Sequence, residues 1–225
     1  MTNDRHTGRQ NSRDNRRNRR LSKQVKYVIV TDGDRTEYNY VTGLKESLRE
    51  GTPLSLKIYT KVKAEKLIEK CETLRNEDIF TDFSPARIWI VFDCDRVVDF
   101  DTIIQKAKSL GCDAAWSNPC IEEWFWAYFQ PLASHTASTT TNDLFKELFI
   151  TKTGKRYAKN LPNIYNLLCI AGNEGQAIHR AEEKLTSLEN SGITKPSAMY
   201  SATTLFRLVK EWRALENSRM LSDVR

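Results

Sequence analysis

The chain has 225 residues, 40% of them apolar and 28% charged, with a formal net charge of +6. That length buries a full core, and one α/β domain with an appendage is the natural expectation. No apolar run approaches the ~20 residues needed to span a membrane. The Arg/Asn-rich start has no apolar stretch of the kind a secretory signal carries. Five cysteines without a Cys-x-x-Cys pair, and three scattered histidines, argue against a zinc site and a disulfide framework. A reducing cytoplasm fits, with the cysteines as small core residues.

The basic excess is local. Residues 1–26 hold nine Lys/Arg and two Asp, a net of +7, so the other 199 residues sum to −1. Residues 1–22 are almost free of large apolar groups and are expected to be disordered in isolation. Arg16, Arg17, Arg19 and Arg20 end this tail. They suit nucleic-acid phosphates or an acidic partner face; a solubilising tail is the plainer reading.

Val25–Thr31 reads as a strand running into Asp32-Gly33-Asp34-Arg35-Thr36-Glu37. Gly33 allows a sharp turn close to a ligand. A helix follows, with Tyr40, Val41, Leu44 and Leu48 on one side and Gly51 as its stop. Asp34 and Glu37 match a capping box, which is the expectation for both; Asp32, ahead of the turn, is not explained by it. Leu54–Thr60 reads as a strand and Ala64–Arg75 as a helix.

Arg87–Asp93 is the third strand, five apolar residues ended by the carboxylates Asp93 and Asp95. In an open α/β sheet, ligands bind beyond the carboxyl ends of the strands. Asp93 and Asp95 are therefore expected at that edge, close enough to share one Mg²⁺ or Mn²⁺, which prefer hard oxygen ligands. Two solvated aspartates in a turn would give the same pattern.

Asp101–Leu110 reads as a helix stopped by Gly111, and Cys112–Ser117 as a fourth strand. Asn118-Pro119 looks like an N-cap with Pro in the first helical position. The helix it would open carries Glu122, Glu123, Trp124, Trp126 and Phe129, with Glu122 directed at the same edge as Asp93. Its aromatic residues suit the core or a partner's surface. Strand and helix alternate to residue ~130, which predicts a mostly parallel sheet with helices on both faces.

Beyond that point the pattern turns helical. Ser134–Thr141 reads as a polar loop, and Asn142–Ile150, Leu161–Ile170, Gln176–Leu188 and Thr203–Leu215 as helices. Lys152, Lys155, Arg156 and Lys159 form a basic segment, either phosphate-binding or simply solvated. The expected organisation is a tail (1–22), an α/β core (23–130) and a helical extension packed on it (131–225).

An acidic residue before a Gly after strand one, with an Asp-x-Asp pair after strand three, resembles the Toprim (Rossmannoid) fold of topoisomerases, primases and overcoming-lysogenization-defect nucleases. The likeness is closer still to RloB-like proteins, also called the AbiL second-subunit family. It is carried by Val28–Tyr40, Trp89–Asp95, Ser117–Trp124 and Ser201–Val209. The resemblance implies an anti-phage, abortive-infection component encoded beside an AAA/ABC-type ATPase. It further implies a Mg²⁺- or Mn²⁺-dependent nuclease acting on DNA or RNA, with Asp32, Asp93 and Asp95 as metal ligands and Glu122 as a further catalytic acid. One departure stands out: the family usually carries Glu-Gly-Glu where this chain has Asp32-Gly33-Asp34. Asp reaches about 1.5 Å less.

Two other readings compete. One is a non-catalytic sensor or adaptor docked on the ATPase through a degenerate Toprim-like domain, using the aromatic and C-terminal helices as contact surfaces. The other is a phosphoacceptor receiver domain, with Ser117 after strand four but no convincing strand-five Lys. Substrate identity and a homo-oligomeric state are open.

Overall fold

The computed structural model describes residues 24–77, 86–95, 97–133 and 137–223. The basic tail with Arg16, Arg17, Arg19 and Arg20 lies outside the described residues. In chain order the elements are β1 (Val25–Thr31), α1 (Thr36–Ser47), β2 (Leu54–Tyr59), α2 (Leu67–Asn76), β3 (Arg87–Asp93), α3 (Phe100–Ser109), β4 (Asp113–Asn118), α4 (Glu122–Ala127), α5 (Ser138–Thr153), α6 (Ile164–Ala171), α7 (Glu174–Asn190), β5 (Ala202–Thr203) and α8 (Leu205–Asp223).

The strands form one sheet of order β2-β1-β3-β4-β5. The first four are parallel and β5 joins β4 antiparallel. This is the expected Rossmann-like α/β architecture. Right-handed crossovers put α1 on one face and α2 and α3 on the other, and α2 and α3 touch. From β1 the chain moves outward to β2, then crosses back to β3 on β1's other side. The strand order therefore reverses between β1 and β3, and the crevice at such a switch point is where open α/β sheets bind ligands.

Strands buried on both faces read as continuous apolar runs, and Ile88–Phe92 is such a run, every residue of it buried. The segment beyond residue 130 shares this core rather than resting on it. Ala202 and Thr203 complete the sheet, and Trp212 of α8 is fully buried edge-on against Tyr27 of β1, ring centroids 5.5 Å apart. Trp212→Ala is expected to cost about 4 kcal/mol in urea unfolding; a loss under about 1 kcal/mol would mean that α8 is peripheral.

Several expectations change. Asn118 does not cap a helix: it ends β4, and its Nδ2 donates to the carbonyls of Pro196 and Ser197 at 2.9 and 3.0 Å. The helix starts only at Glu122 and is interior along its whole length, so the aromatic face offered as a docking surface is core. The Ser/Thr stretch is not all loop, because α5 begins at Ser138. Asp34 and Glu37 form no capping box. Arg35 occupies the N-cap of α1 without a side-chain hydrogen bond, and Asp34 faces Lys61 Nζ at 3.2 Å. All five cysteines are free thiols. No helix among the described residues is long and apolar enough to cross a membrane.

Candidate active site

A cleft of about 440 Å³ opens at the switch point, lined by the turn Asp32–Glu37, by Asp93 and Asp95, and by Lys159 and Asn160. Its position follows from register. Thr31 pairs with Val91, so Asp32, one residue further, and Asp93, two residues further, leave adjacent strands at the same edge. Asp93 in turn pairs with Ser117, and the chain after β4 brings Glu122 in from the opposite side.

Glu37 is the acid that sequence reasoning assigned elsewhere. It is buried, and its carboxylate lies over the turn so closely that a Cβ on Gly33 would stand 2.1 Å from Glu37 Oε2. Gly33 is thus the residue that leaves room for a fourth carboxylate. Glu122 is fully buried and accepts from Tyr157 Oη at 2.8 Å, while its other oxygen, Oε2, has no hydrogen-bond partner. Asp95 stands at the exposed rim, where Ser138 Oγ donates to its Oδ2 at 2.7 Å.

These acids burden one another. Burial pushes Asp32 up to about 6, although backbone amides of Gly33, Asp32 and Asp93 pull it back. Burial, then the charge of Asp32, pushes Glu37 up to about 7. Burial lifts Asp93 well above the ordinary carboxylate range, and Glu37, Asp32 and Glu122 add to it. Desolvation and like charge both favour the protonated form, and pairs of acids tuned this way cluster at functional sites.

Lys159 is the compensating charge. Its ammonium lies 3.9 Å from Glu122 Oε1, and the attraction of Glu122 and Asp93 outweighs its own desolvation, so it remains charged. The strap carrying it is pinned from both sides. Thr36 Oγ1 donates to the Lys159 carbonyl at 2.6 Å, Asn39 Nδ2 to the Leu161 carbonyl at 3.2 Å, and Tyr157 is wedged among Phe125, Phe145 and Phe149. Of the basic segment, only Lys159 lines the cleft; Lys152, Lys155 and Arg156 are exposed.

Four buried or half-buried carboxylates supply the hard-oxygen donors that Mg²⁺ and Mn²⁺ take, and one Glu122 oxygen, buried behind the cleft, has no hydrogen-bond partner. As placed, no three acids among the described residues converge on a single point suited to one ion. The donor chemistry fits a divalent cation; the carboxylates stand as a cluster around a cleft rather than as a closed cage.

A receiver domain is not this arrangement. Its final strand would be parallel, whereas β5 is antiparallel, and Ser117 Oγ is buried in a 2.9 Å hydrogen bond with Thr203 Oγ1. Sheet order and acidic switch-point cleft define a Rossmann-like α/β protein with a polyanionic carboxyl-edge site. The family model for RloB-like proteins matches residues 27–212, from β1 into α8, and the chain belongs to that family. Neither the curated proteins nor the solved structures hold a match.

Proposed function

We propose that the chain is a metal-dependent phosphodiesterase that cuts DNA or RNA. The observation that supports this reading is the clustering of Asp32, Glu37 and Asp93 with Lys159 around the cleft at the β1/β3 switch point, with Glu122 buried behind them. Asp32, Asp93 and Asp95, with Glu122 behind them, are the residues to hold Mg²⁺ or Mn²⁺. The bound ion would polarise a phosphoryl oxygen and acidify an attacking water.

The chain's own groups divide the remaining work. Burial raises Asp32 to about 6 when no ion is bound, so a bound cation would take the place of the proton there. Lys159 presents its charge to the phosphate while its neighbours fix the strap behind it. Tyr157 holds Glu122 in one rotamer through its hydroxyl. Lys152, Lys155 and Arg156 neutralise flanking phosphates, which makes affinity salt-dependent. By the family resemblance, the nuclease serves cytoplasmic anti-phage defence under control of an ATPase encoded alongside.

The test is cleavage of plasmid, single-stranded DNA and bulk tRNA by purified protein with Mg²⁺ or Mn²⁺, alone and with the neighbouring ATPase. The expected result is metal-dependent cutting of at least one substrate, abolished by EDTA. Absence of cutting in every arm would favour a regulatory subunit with a degenerate site.

A further inference from the structure

Lys61, in the loop that follows β2, has a positive φ of 61°, and among the described residues only one other non-glycine, Ser201, shares that feature. Ser201 is buried, and its hydroxyl donates to Glu123 Oε1 at 3.2 Å. Lys61 is exposed and fills no space in the core. The left-handed region is costly for a residue with a Cβ, and Gly or Asn would occupy it more cheaply. Strain of this kind clusters at functional sites.

The loop is tied to the cleft. Lys61 N donates to the Gly33 carbonyl at 3.2 Å, and Val62 N to the Thr31 carbonyl at 3.1 Å. Lys61 Nζ then stands 3.2 Å from Asp34 Oδ2, and Arg35 Nε approaches the same oxygen at 3.9 Å. Asp34 and Arg35 both line the acidic cleft. Exposed ion pairs add little stability, so these two do not account for the strained backbone. What they form is two cations converging on one anionic oxygen. The cleft lining holds five carboxylates and, as cations, Arg35 and Lys159. A phosphate approaching that edge meets repulsion unless cations flank it.

We propose that Arg35 and Lys61 form a second phosphate-binding site on the β2 flank of the cleft, taking a backbone phosphate that neighbours the scissile one. Asp34 Oδ2 stands where a phosphoryl oxygen would, and holds the two cations in place until the phosphate displaces it. The proposal rests on the phosphodiesterase reading and extends it: the strand is held at the β2 flank as well as at Lys159. Contacts of this kind position a strand without reading its sequence. Arg and Lys divide the task as they do elsewhere, a planar fork beside a mobile point charge.

The experiment is a mutant cycle read by binding. Affinity of full-length protein for a fluorescein-labelled oligothymidylate is measured by anisotropy in EDTA across a series of salt concentrations. Lys61→Gly and Arg35→Gln are each expected to weaken binding about fivefold and to lower the slope of log affinity against log salt by about 1. Lys61→Gly suits the left-handed backbone, so it should melt within a few degrees of wild type. Lys61→Arg, which keeps the charge, should bind as wild type does. Asp34→Asn should tighten binding about threefold in the wild-type chain and change little once Lys61 and Arg35 are both replaced, because groups in contact couple. The site is wrong if Lys61→Gly and Arg35→Gln bind like wild type, or if wild type shows no binding at low salt. It is also wrong if Asp34→Asn tightens the doubly replaced chain as much as the wild type, since charge acting at a distance would then suffice. Because no turnover is needed, coupling without any cleavage in the assay above would leave this site standing and remove only the nuclease. Cleavage with no effect of Lys61 or Arg35 on binding would remove only the site.

Discussion

Asp93→Asn is expected to lower metal-dependent cleavage by about 10²-fold or more while making the protein more stable at neutral pH. The two signs follow from one feature. Asp93 ends β3 at the bottom of the cleft, desolvated and beside Glu37, Asp32 and Glu122. An amide of the same shape fills the same space, keeps the strand register, and removes both the desolvation of a charge and the repulsion among neighbours. A buried structural acid, paired with a cation it anchors, would behave oppositely, because deleting it strands its partner. Stability gained with activity lost is the signature of an acid retained for function. Urea unfolding and the plasmid and tRNA assays, run on one preparation, read both quantities. Full activity in Asp93→Asn, with the fold confirmed by circular dichroism, would end the catalytic assignment. Destabilisation of the variant would show that the cluster is not under the strain described.

The parallel part of this fold was legible because its signals are local. Ile88–Phe92 is apolar without alternation, as a strand covered on both sides must be, and Asp32 and Asp93 stand at strand ends that the βα alternation brings to one edge. What was not legible depends on packing and on distant chain. Glu37 follows Asp34 at capping-box spacing, and only the packing of its carboxylate on Gly33 turns it inward. Lys159 is one of four similar cations in sequence; it is singled out by Thr36, 123 residues away, which takes its carbonyl. β5 is two residues long and carries no period at all, yet it closes the sheet edge beside β4. Asn118-Pro119 has the composition of a helix start, but the Asn side chain is claimed by the carbonyls of Pro196 and Ser197. In each case a long-range hydrogen bond or a packing contact overrode a correct local preference.

The acid cluster should also write itself into the pH dependence of stability. Asp32 and Glu37 are raised to about 6 and about 7 in the folded protein, and Asp93 is raised well above its ordinary range. Unfolded carboxyls titrate near 4, so between roughly pH 4 and 7 the folded state carries more protons than the unfolded one. Stability from these groups is therefore greatest at the acid end and falls as pH rises through their folded values. In EDTA, the melting temperature is expected to drop by about 5 °C or more between pH 5.5 and 8. Lys159 limits the fall without cancelling it, since one ammonium faces several carboxylates. A divalent cation competes with those protons. Millimolar Mg²⁺ or Mn²⁺ should accordingly raise the melting temperature more at pH 8 than at pH 5.5, flattening the profile, and its binding at pH 6.5 should release protons that an unbuffered titration can count. Asp93→Asn should flatten the EDTA profile by itself and blunt the response to metal. A melting temperature that climbs from pH 5.5 to 8 in EDTA would contradict the electrostatics of the cleft. A fall with pH that neither cation relieves would separate the strained cluster from any metal, and would turn attention to Lys159 and the phosphate as its natural counter-charges.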